Sequence, residues 1–358
     1  MKPTAIPAIC GLSLIITDCL HPKIGPHSLP HDRALYAKSL ADSWKQQTLL
    51  NIVKIRHVDP PVFVDIGNIV ASYSLAQSAT LGGNIVPNDK TGNIVMGGSG
   101  SFSNTPTITY TPLTGSAFIR GLATPLKPES VFIAIQNGLP ADGIMFSTVF
   151  SINGYRNQSA SLRGITPADN DFHRVRTLMR NIQLSGEVRI YLREDANKNQ
   201  TYVLAIPARN VTAEIQSDLA ELRRLLKPNP DATEFKLVYG PVASSDTEIA
   251  VLTRSITSLM QNMAAQVEVP EEDEVRQYAF PGFDQKHAVP GVVRLIRIRS
   301  GKQKPDDPFV VAFYKGNWFW IDRGDLDSKH IFGQLMNLFT MVDSGPRENA
   351  PILTIPSR

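Results

Sequence analysis

Apolar and polar positions along the chain change period several times, and each period implies a different element. From Asp32 to about Arg56 the apolar residues Tyr36, Leu40 and Trp44 fall four apart and continue as Leu49, Ile52 and Val53. That is the spacing of one helical face, and it predicts Trp44 as a core residue. His57-Val-Asp-Pro-Pro61 ends the helix, because proline offers no N–H and disfavours helix just before itself. From Val62 to Leu81 the period falls to two, with Ile69, Ala71, Tyr73 and Leu75 alternating against Val70, Ser72 and Ser74, which predicts strand. Gly-Asn-Ile-Val recurs at Gly67, Gly83 and Gly92, with turn chemistry in Pro87-Asn-Asp-Lys-Thr-Gly92 between the last two copies. This predicts a β-hairpin, and the uneven spacing argues against a solenoid. Gly97-Gly-Ser-Gly-Ser101 reads as mobile, and Thr107–Thr111 as another strand.

Helical spacing then returns. Thr114 can cap a short helix, Pro128-Glu129 start a second that Gly138 ends, a third runs from Pro140 to about Ile152, and Thr166-Pro167 open a fourth ending near Leu184. Strands are expected at Glu187–Arg193, Thr201–Ile206, Phe235–Tyr239, Glu248–Thr253, Val292–Arg299, Phe309–Tyr314, Trp318–Ile321 and Ile352–Ile355. Helices are expected at Thr212–Leu226, before Ala265, and from about Leu326 to Val342, the last capped by Asp325 or Asp327. The acidic run Pro270-Glu-Glu-Asp-Glu274 reads as a solvated loop. Phe309–Tyr314 is apolar on both faces, which predicts a central strand in a covered sheet. The fold class is α+β, with mixed, largely antiparallel sheets packed with helices and one long N-terminal helix. Phe235–Met263 and Phe309–Phe339 both read strand, strand, helix, which raises a duplicated ββα unit in the C-terminal half.

The N-terminus adds a different signal. Lys2, an apolar run over Ala5–Ile16 and then Ile16-Thr17-Asp18-Cys19 form the layout of a secretory leader ending at a lipidation cysteine. The expected organisation is a leader over 1–19, a proline-rich tether over 20–31, a helix, hairpin and helical region over 32–185, and an α+β domain over 186–358. Cys19 would then carry acyl chains and hold the protein at the outer membrane, facing the periplasm. Cys10 and Cys19 are the two cysteines of the chain, so the mature protein would form no internal disulfide.

Composition narrows the function classes. An apolar content of 42% and a charged content of 19% are globular values. A net charge of +3 over 358 residues gives no electrostatic case for nucleic acid. Catalytic motifs fail in turn: Gly98-Ser-Gly-Ser101 lacks the nucleophile-elbow spacing, and neither phosphate-cradling glycine pattern is found. His27 and His31 are four apart but have Pro30 between them, and Asp195-x-Asn197-x-Asn199 lacks the glycine and glutamate of a calcium loop. No metal, cofactor or catalytic residue is therefore expected. Two sets could contact a partner. Trp318 and Trp320 share one strand face, either exposed for stacking or inside a strand buried on both sides. Arg294, Arg297 and Arg299, with Lys302 and Lys304, form a basic cluster that either meets an anionic surface or is ordinary solvated charge. In the C-terminal helix, Phe332 and Phe339 lie in an apolar arc wide enough to cover a sheet and leave a face for a partner.

Ser43-Trp-Lys-Gln-Gln47, Leu49-Leu-Asn-Ile-Val53 and Asp59-Pro-Pro-Val-Phe63 resemble motifs of a family of uncharacterised proteobacterial envelope lipoproteins. So do Thr109-Tyr-Thr-Pro-Leu113, Ser151-Ile-Asn-Gly154, Asp246-Thr-Glu-Ile249, Thr253-Arg-Ser255, Trp318-Phe-Trp-Ile-Asp322 and Asp327-Ser-Lys329. The resemblance implies a lipid-anchored periplasmic protein with Cys19 at the lipidated position, while Asp18 departs from the usual sequence before that cysteine. The expected role is non-enzymatic binding or scaffolding among envelope proteins, or self-assembly. One form of it is an accessory subunit of a large envelope-spanning assembly such as a secretion complex. The rival is a periplasmic hydrolase using Asp322, Asp325 or Asp327.

Overall fold

The computed structural model describes residues 29–70, 73–84, 93–104, 106–113, 116–194, 198, 200–206, 212–226, 229, 232–281, 290–340 and 353–356. In chain order, helix α1 (Leu29–Arg56) precedes strands β1 (Val64–Val70), β2 (Tyr73–Asn84), β3 (Asn93–Asn104) and β4 (Thr107–Pro112). Helices α2 (Ser116–Ala123), α3 (Pro128–Gln136) and α4 (Ala141–Thr148) follow. Next come β5 (Val149–Ile152), β6 (Tyr155–Arg156), β7 (Ser159–Ser161), β8 (Gly164–Thr166) and α5 (Asn170–Leu184). The chain continues through β9 (Arg189–Glu194), β10 (Gln200–Ala205), α6 (Ala213–Leu226), β11 (Glu234–Tyr239), β12 (Glu248–Thr253), α7 (Ile256–Ala264) and α8 (Glu271–Val275). The last described elements are β13 (Arg299–Gly301), β14 (Pro308–Tyr314), β15 (Asn317–Asp322), α9 (Leu326–Thr340) and β16 (Leu353–Pro356). The class is α+β, as the periodicity implies.

The chain forms two compact units, one of residues 1–43, 64–113 and 348–358, the other of residues 44–63 and 114–347. This division differs from the expected boundary at 185/186. Strands on both sides of that point share one sheet, ordered β6-β5-β12-β11-β10-β9. The leader lies outside the described residues, as does most of the tether, whose last residues 29–31 already belong to α1.

In the first unit, β1, β4 and β16 form an antiparallel sheet. The predicted hairpin is β2–β3, paired without interruption from Tyr73↔Asn104 to Asn84↔Asn93; its turn lies outside the described residues. The strand expected over 62–81 is thus two strands with different partners. Gly97–Ser101, expected to be mobile, is part of β3 and pairs with Ala76–Thr80. Glycine weakens a strand through its entropy, but here the ladder continues on both sides and carries it.

The second unit has its main core between α3, α4, α5, α6 and the six-stranded sheet, around Phe132, Met145, Phe172, Leu222, Phe235 and Val251. Pro128 sits in the first turn of α3, and Gly138 at φ +100° ends that helix as expected. The helix predicted over 140–152 stops at Thr148, where Val149 turns extended and the apolar run becomes β5. Helix α5 starts at Asn170, later than expected, after the small β7–β8 hairpin that periodicity did not reveal.

A smaller sheet, β13-β15-β14, packs with α9. The predicted strand over 292–299 is reduced to β13, beginning at Arg299. Lys315 and Gly316, at φ +45° and +82°, make the two-residue turn from β14 to β15. β14 is an edge strand and not a central one: Val310 and Ala312 are buried while Phe313 is exposed. The suggested ββα duplication fails on strand direction, since β11 and β12 are parallel whereas β14 and β15 are antiparallel.

Trp44 also departs from expectation. It is 38% exposed, its ring meeting Phe339 at 6.5 Å, and the buried face of α1 begins at Thr48 and continues through Leu49, Ile52 and Val53. The helical stripe is regular, but the surface that covers it starts one turn later. Asn51 then fixes the exit of the chain, donating to the Val62 carbonyl at 2.8 Å and accepting from the Val62 amide at 2.9 Å.

Candidate ligand-binding cleft

Several helices of the second unit present small residues to one another, among them Gly121 on α2, Ala134 on α3 and Gly333 on α9. A side chain added at Gly333 would meet nothing within 4 Å. Helices whose facing positions are this small cannot fill the space between them. The result is a cleft of about 970 Å³ lined by α2, α3, α4, α7, α9 and the 124–127 link. Its floor is buried and largely apolar (Val131, Ile144 and Ile256, with Thr148 and Gln334), while Arg120, Lys127, His330 and Asn337 stand exposed on the rim. Among the described residues that line it there is no carboxylate. A mostly apolar concavity of this size with a few polar groups is the usual form of a small-molecule site.

One polar chain runs from Ser147, behind the floor, through Gln334 to His330 on the rim. The Ser147 hydroxyl donates to Gln334 Oε1 at 3.0 Å, and Gln334 Nε2 lies 2.9 Å from His330 Nε2. The Gln334 amide therefore separates the serine from the histidine. Ser147 is buried, and its hydroxyl also lies 3.1 Å from the carbonyls of Gly143 and Ile144. A nucleophilic serine needs its base within hydrogen-bond reach, and here an amide occupies that place. The arrangement fixes the Gln334 amide between Ser147 and His330.

The walls are tied together at Arg254, which is only 3% exposed. Its guanidinium donates to the carbonyls of Phe146 and Ser147, each at 3.0 Å, and to that of Gln158. Its own amide donates to Thr148 O at 2.7 Å, and its carbonyl accepts from Leu126 N at 3.1 Å. Thr253 Oγ1 donates to Leu126 O as well. One residue thereby joins the C-terminal end of α4, the link before α3 and the start of α7. Burial lowers the Arg254 pKa to about 10. Because the folded value lies below the unfolded one, this burial subtracts stability at neutral pH, and the loss is recovered as pH rises through about 10. Charge-assisted hydrogen bonds to three carbonyls offset that loss. Arg56 repeats the device, donating to the carbonyls of Ala265, Phe280 and Pro281, and burial lowers its pKa to about 10 against the opposing pull of Glu274.

The residues singled out from sequence do not converge on this cleft. Trp318 and Trp320 are half-buried on the outer face of the small sheet. Trp318 packs against Phe313 at 4.9 Å, and Trp320 Nε1 donates to Asp322 at 2.8 Å. Phe332 and Phe339 are core residues, not a spare face: Phe332 meets Phe309 at 6.1 Å, and Phe339 meets Phe63 at 5.5 Å. The basic cluster is matched by carboxylates, with Arg297 on Glu268 at 3.0 Å, Arg299 on Asp322 at 2.8 Å and Lys302 on Glu272 at 3.3 Å. Asp325 caps α9 through the Ser328 amide at 3.0 Å, and Asp327 is exposed in its first turn. Asp322 is held by Arg299 and Asp325 by Ser328, so both of these carboxylates have structural partners. The acidic run is a short helix and not a solvated loop. Its Asp273 is buried, 3.4 Å from His57 Nε2 and 3.5 Å from Asn317 Nδ2. That histidine and aspartate are closed off from solvent and serve as a polar link between α1, α8 and β15. Cys19 and the 195–197 part of the calcium-like sequence lie outside the described residues.

Among the described residues no cluster of histidine, cysteine or acidic side chains could hold a metal ion, and no helix is long and apolar enough to cross a membrane. The cleft residues escaped the sequence reading because nothing periodic marks them. The available signal was the occurrence of glycine and alanine inside otherwise apolar helices. Compared with family models, curated proteins and solved structures, the chain matches none.

Replacing Arg254 by Met should withdraw the guanidinium from three carbonyls, of which that of Phe146 keeps its bond from Asn157, costing about 3 kcal/mol of stability. Arg254→Lys should recover only part of this, because an ammonium cannot present the same fork. Urea midpoints measure both; a loss of under about 1 kcal/mol for Met would mean the clamp contributes little.

Proposed function

We propose that the protein is a non-enzymatic, lipid-anchored binding protein of the cell envelope. Its cleft takes an amphiphile with an apolar tail and an anionic head. The observation that carries this reading is the charge asymmetry of the cleft. Buried Val131, Ile144 and Ile256 would surround the tail, and Arg120 and Lys127, on a rim with no carboxylate among its described residues, would meet the head. Burying apolar ligand surface contributes roughly 25 cal/mol per Å² before the costs of association. The interposed Gln334 amide, and the structural partners already held by Asp322 and Asp325, support binding over hydrolysis. The envelope location rests on the N-terminal leader and on the resemblance to envelope lipoproteins. The same location suits a subunit of a larger envelope assembly.

Dodecanoate should displace a fluorescent fatty-acid probe from the protein. Ala134→Trp, which fills the cleft, should abolish displacement, while Arg120→Glu with Lys127→Glu should weaken it about tenfold or more by reversing the rim charge. Equal probe binding in all three proteins would contradict the cleft as the site.

Cys19→Ser should move the protein from the membrane to the soluble periplasmic fraction. Membrane retention of that variant would contradict the acyl anchor, and unprocessed protein in the cytoplasm would contradict export.

A further inference from the structure

We propose that the β2–β3 hairpin is a membrane-spanning element, and that copies of this chain join hairpin to hairpin into a closed transmembrane β-barrel. This rests on the first unit alone and is independent of the cleft.

The hairpin's composition is unusual for a surface arm. Each strand has 12 residues, and neither contains Asp, Glu, Lys, Arg or His. Charge returns only in the connecting sequence, at Asp89 and Lys90. The unbroken register assigns alternate positions to opposite faces. By register, positions Tyr73, Leu75, Ala79, Leu81, Ile94, Met96 and Phe102 share one face with Gly83, Gly98 and Gly100, and Gln77 and Asn104 are its polar exceptions. Ser74, Ser78, Thr80, Asn84, Asn93, Ser99, Ser101 and Ser103 share the other with Ala76, Gly82 and Gly97, and Val95 is its one large apolar position. Near the middle of the ladder, the Ser78 and Ser99 hydroxyls hydrogen-bond across the strands at 2.7 Å, both exposed. An apolar face toward lipid and a small polar face toward a lumen is the two-residue pattern of outer-membrane barrels.

The dimensions agree with a bilayer. A strand of 12 residues is about 40 Å long, and at the tilt of barrel strands it rises about 30 Å, the thickness of the hydrocarbon core. Soluble proteins protect long exposed strand edges with lysine, proline or a bulge. Here the register has no bulge, and the strands contain no lysine or proline. Among the described residues β2 and β3 pair only with each other, so the backbone groups along both outer edges of the hairpin have no described strand partner. In hydrocarbon those groups must all be satisfied, and a closed barrel is the strand arrangement that does so. The β2 edge of one copy can accept the β3 edge of the next. Such head-to-tail contacts close into a ring.

The test uses the full chain with vesicles of phosphatidylethanolamine and phosphatidylglycerol, reading dye release, and with planar bilayers, reading conductance. The wild type is expected to release dye, to give discrete conductance steps and to form oligomers in the membrane fraction. Leu81→Arg, on the lipid-side face, should reduce release by at least about tenfold. Ser78→Asp, on the lumen-side face, should keep conductance and shift its selectivity toward cations. The unfolding midpoint of the second unit, outside the hairpin, checks that both variants fold. Absence of conductance from the wild type would overturn the proposal, as would oligomers that form only in solution. So would a folded Leu81→Arg protein that still releases dye, or a Ser78→Asp channel with unchanged selectivity.

Discussion

A single buried cation organises the cleft side of the second unit. Arg254 could have been placed against a carboxylate; it is held instead by the carbonyls of Phe146, Ser147 and Gln158. Backbone carbonyls cannot move without moving their elements, so the guanidinium fixes the point where α4 gives way to β5. The same residue joins that point through its own backbone to Thr148 and Leu126. Asn157 strengthens the junction, donating to the carbonyls of Phe146 and Val149 at 2.8 and 2.7 Å. Keeping a charge in this position is costly. It is tolerated because no apolar residue could satisfy three converging acceptors at once.

The cleft depends on that rigidity. Its helices meet through small residues, which alone would let the walls collapse together. With the end of α4 and the 124–127 link held at Arg254, the space between α3 and α9 stays open, and Gln334 on its floor is held by Ser147 behind it. A preformed cavity avoids paying ordering entropy when a ligand enters. Both the cleft and the hairpin fit a protein working where apolar phases meet water, though each rests on its own observations.

Sequence periodicity made much of the scaffold legible and little of the site. The α3, α6 and α7 helices and the β2–β3 pairing follow from local rules: a proline near a helix start, a glycine at positive φ, turn chemistry between alternating runs. Asp325 as the cap of α9 was equally readable. Properties set by distant partners were not. Trp44 continues a regular stripe, and only the limit of the opposing surface leaves it exposed. Asp273 sits in a run of acids and is buried because His57 and Asn317 lie against it, from positions far away in the chain. The parallel pairing of β11 and β12 could not be read from two similar strands in succession. Arg254 looks like any arginine after a strand until three carbonyls converge on it, and the cleft consists of volume that small residues leave empty.

Calorimetric titration of dodecanoate at several temperatures and salt concentrations distinguishes a preformed apolar cleft with a cationic rim from an empty groove. The account predicts one ligand per chain, a negative heat-capacity change from buried apolar surface, and affinity that falls as salt screens Arg120 and Lys127. Saturable binding with no heat-capacity change, or no binding at all, would contradict it.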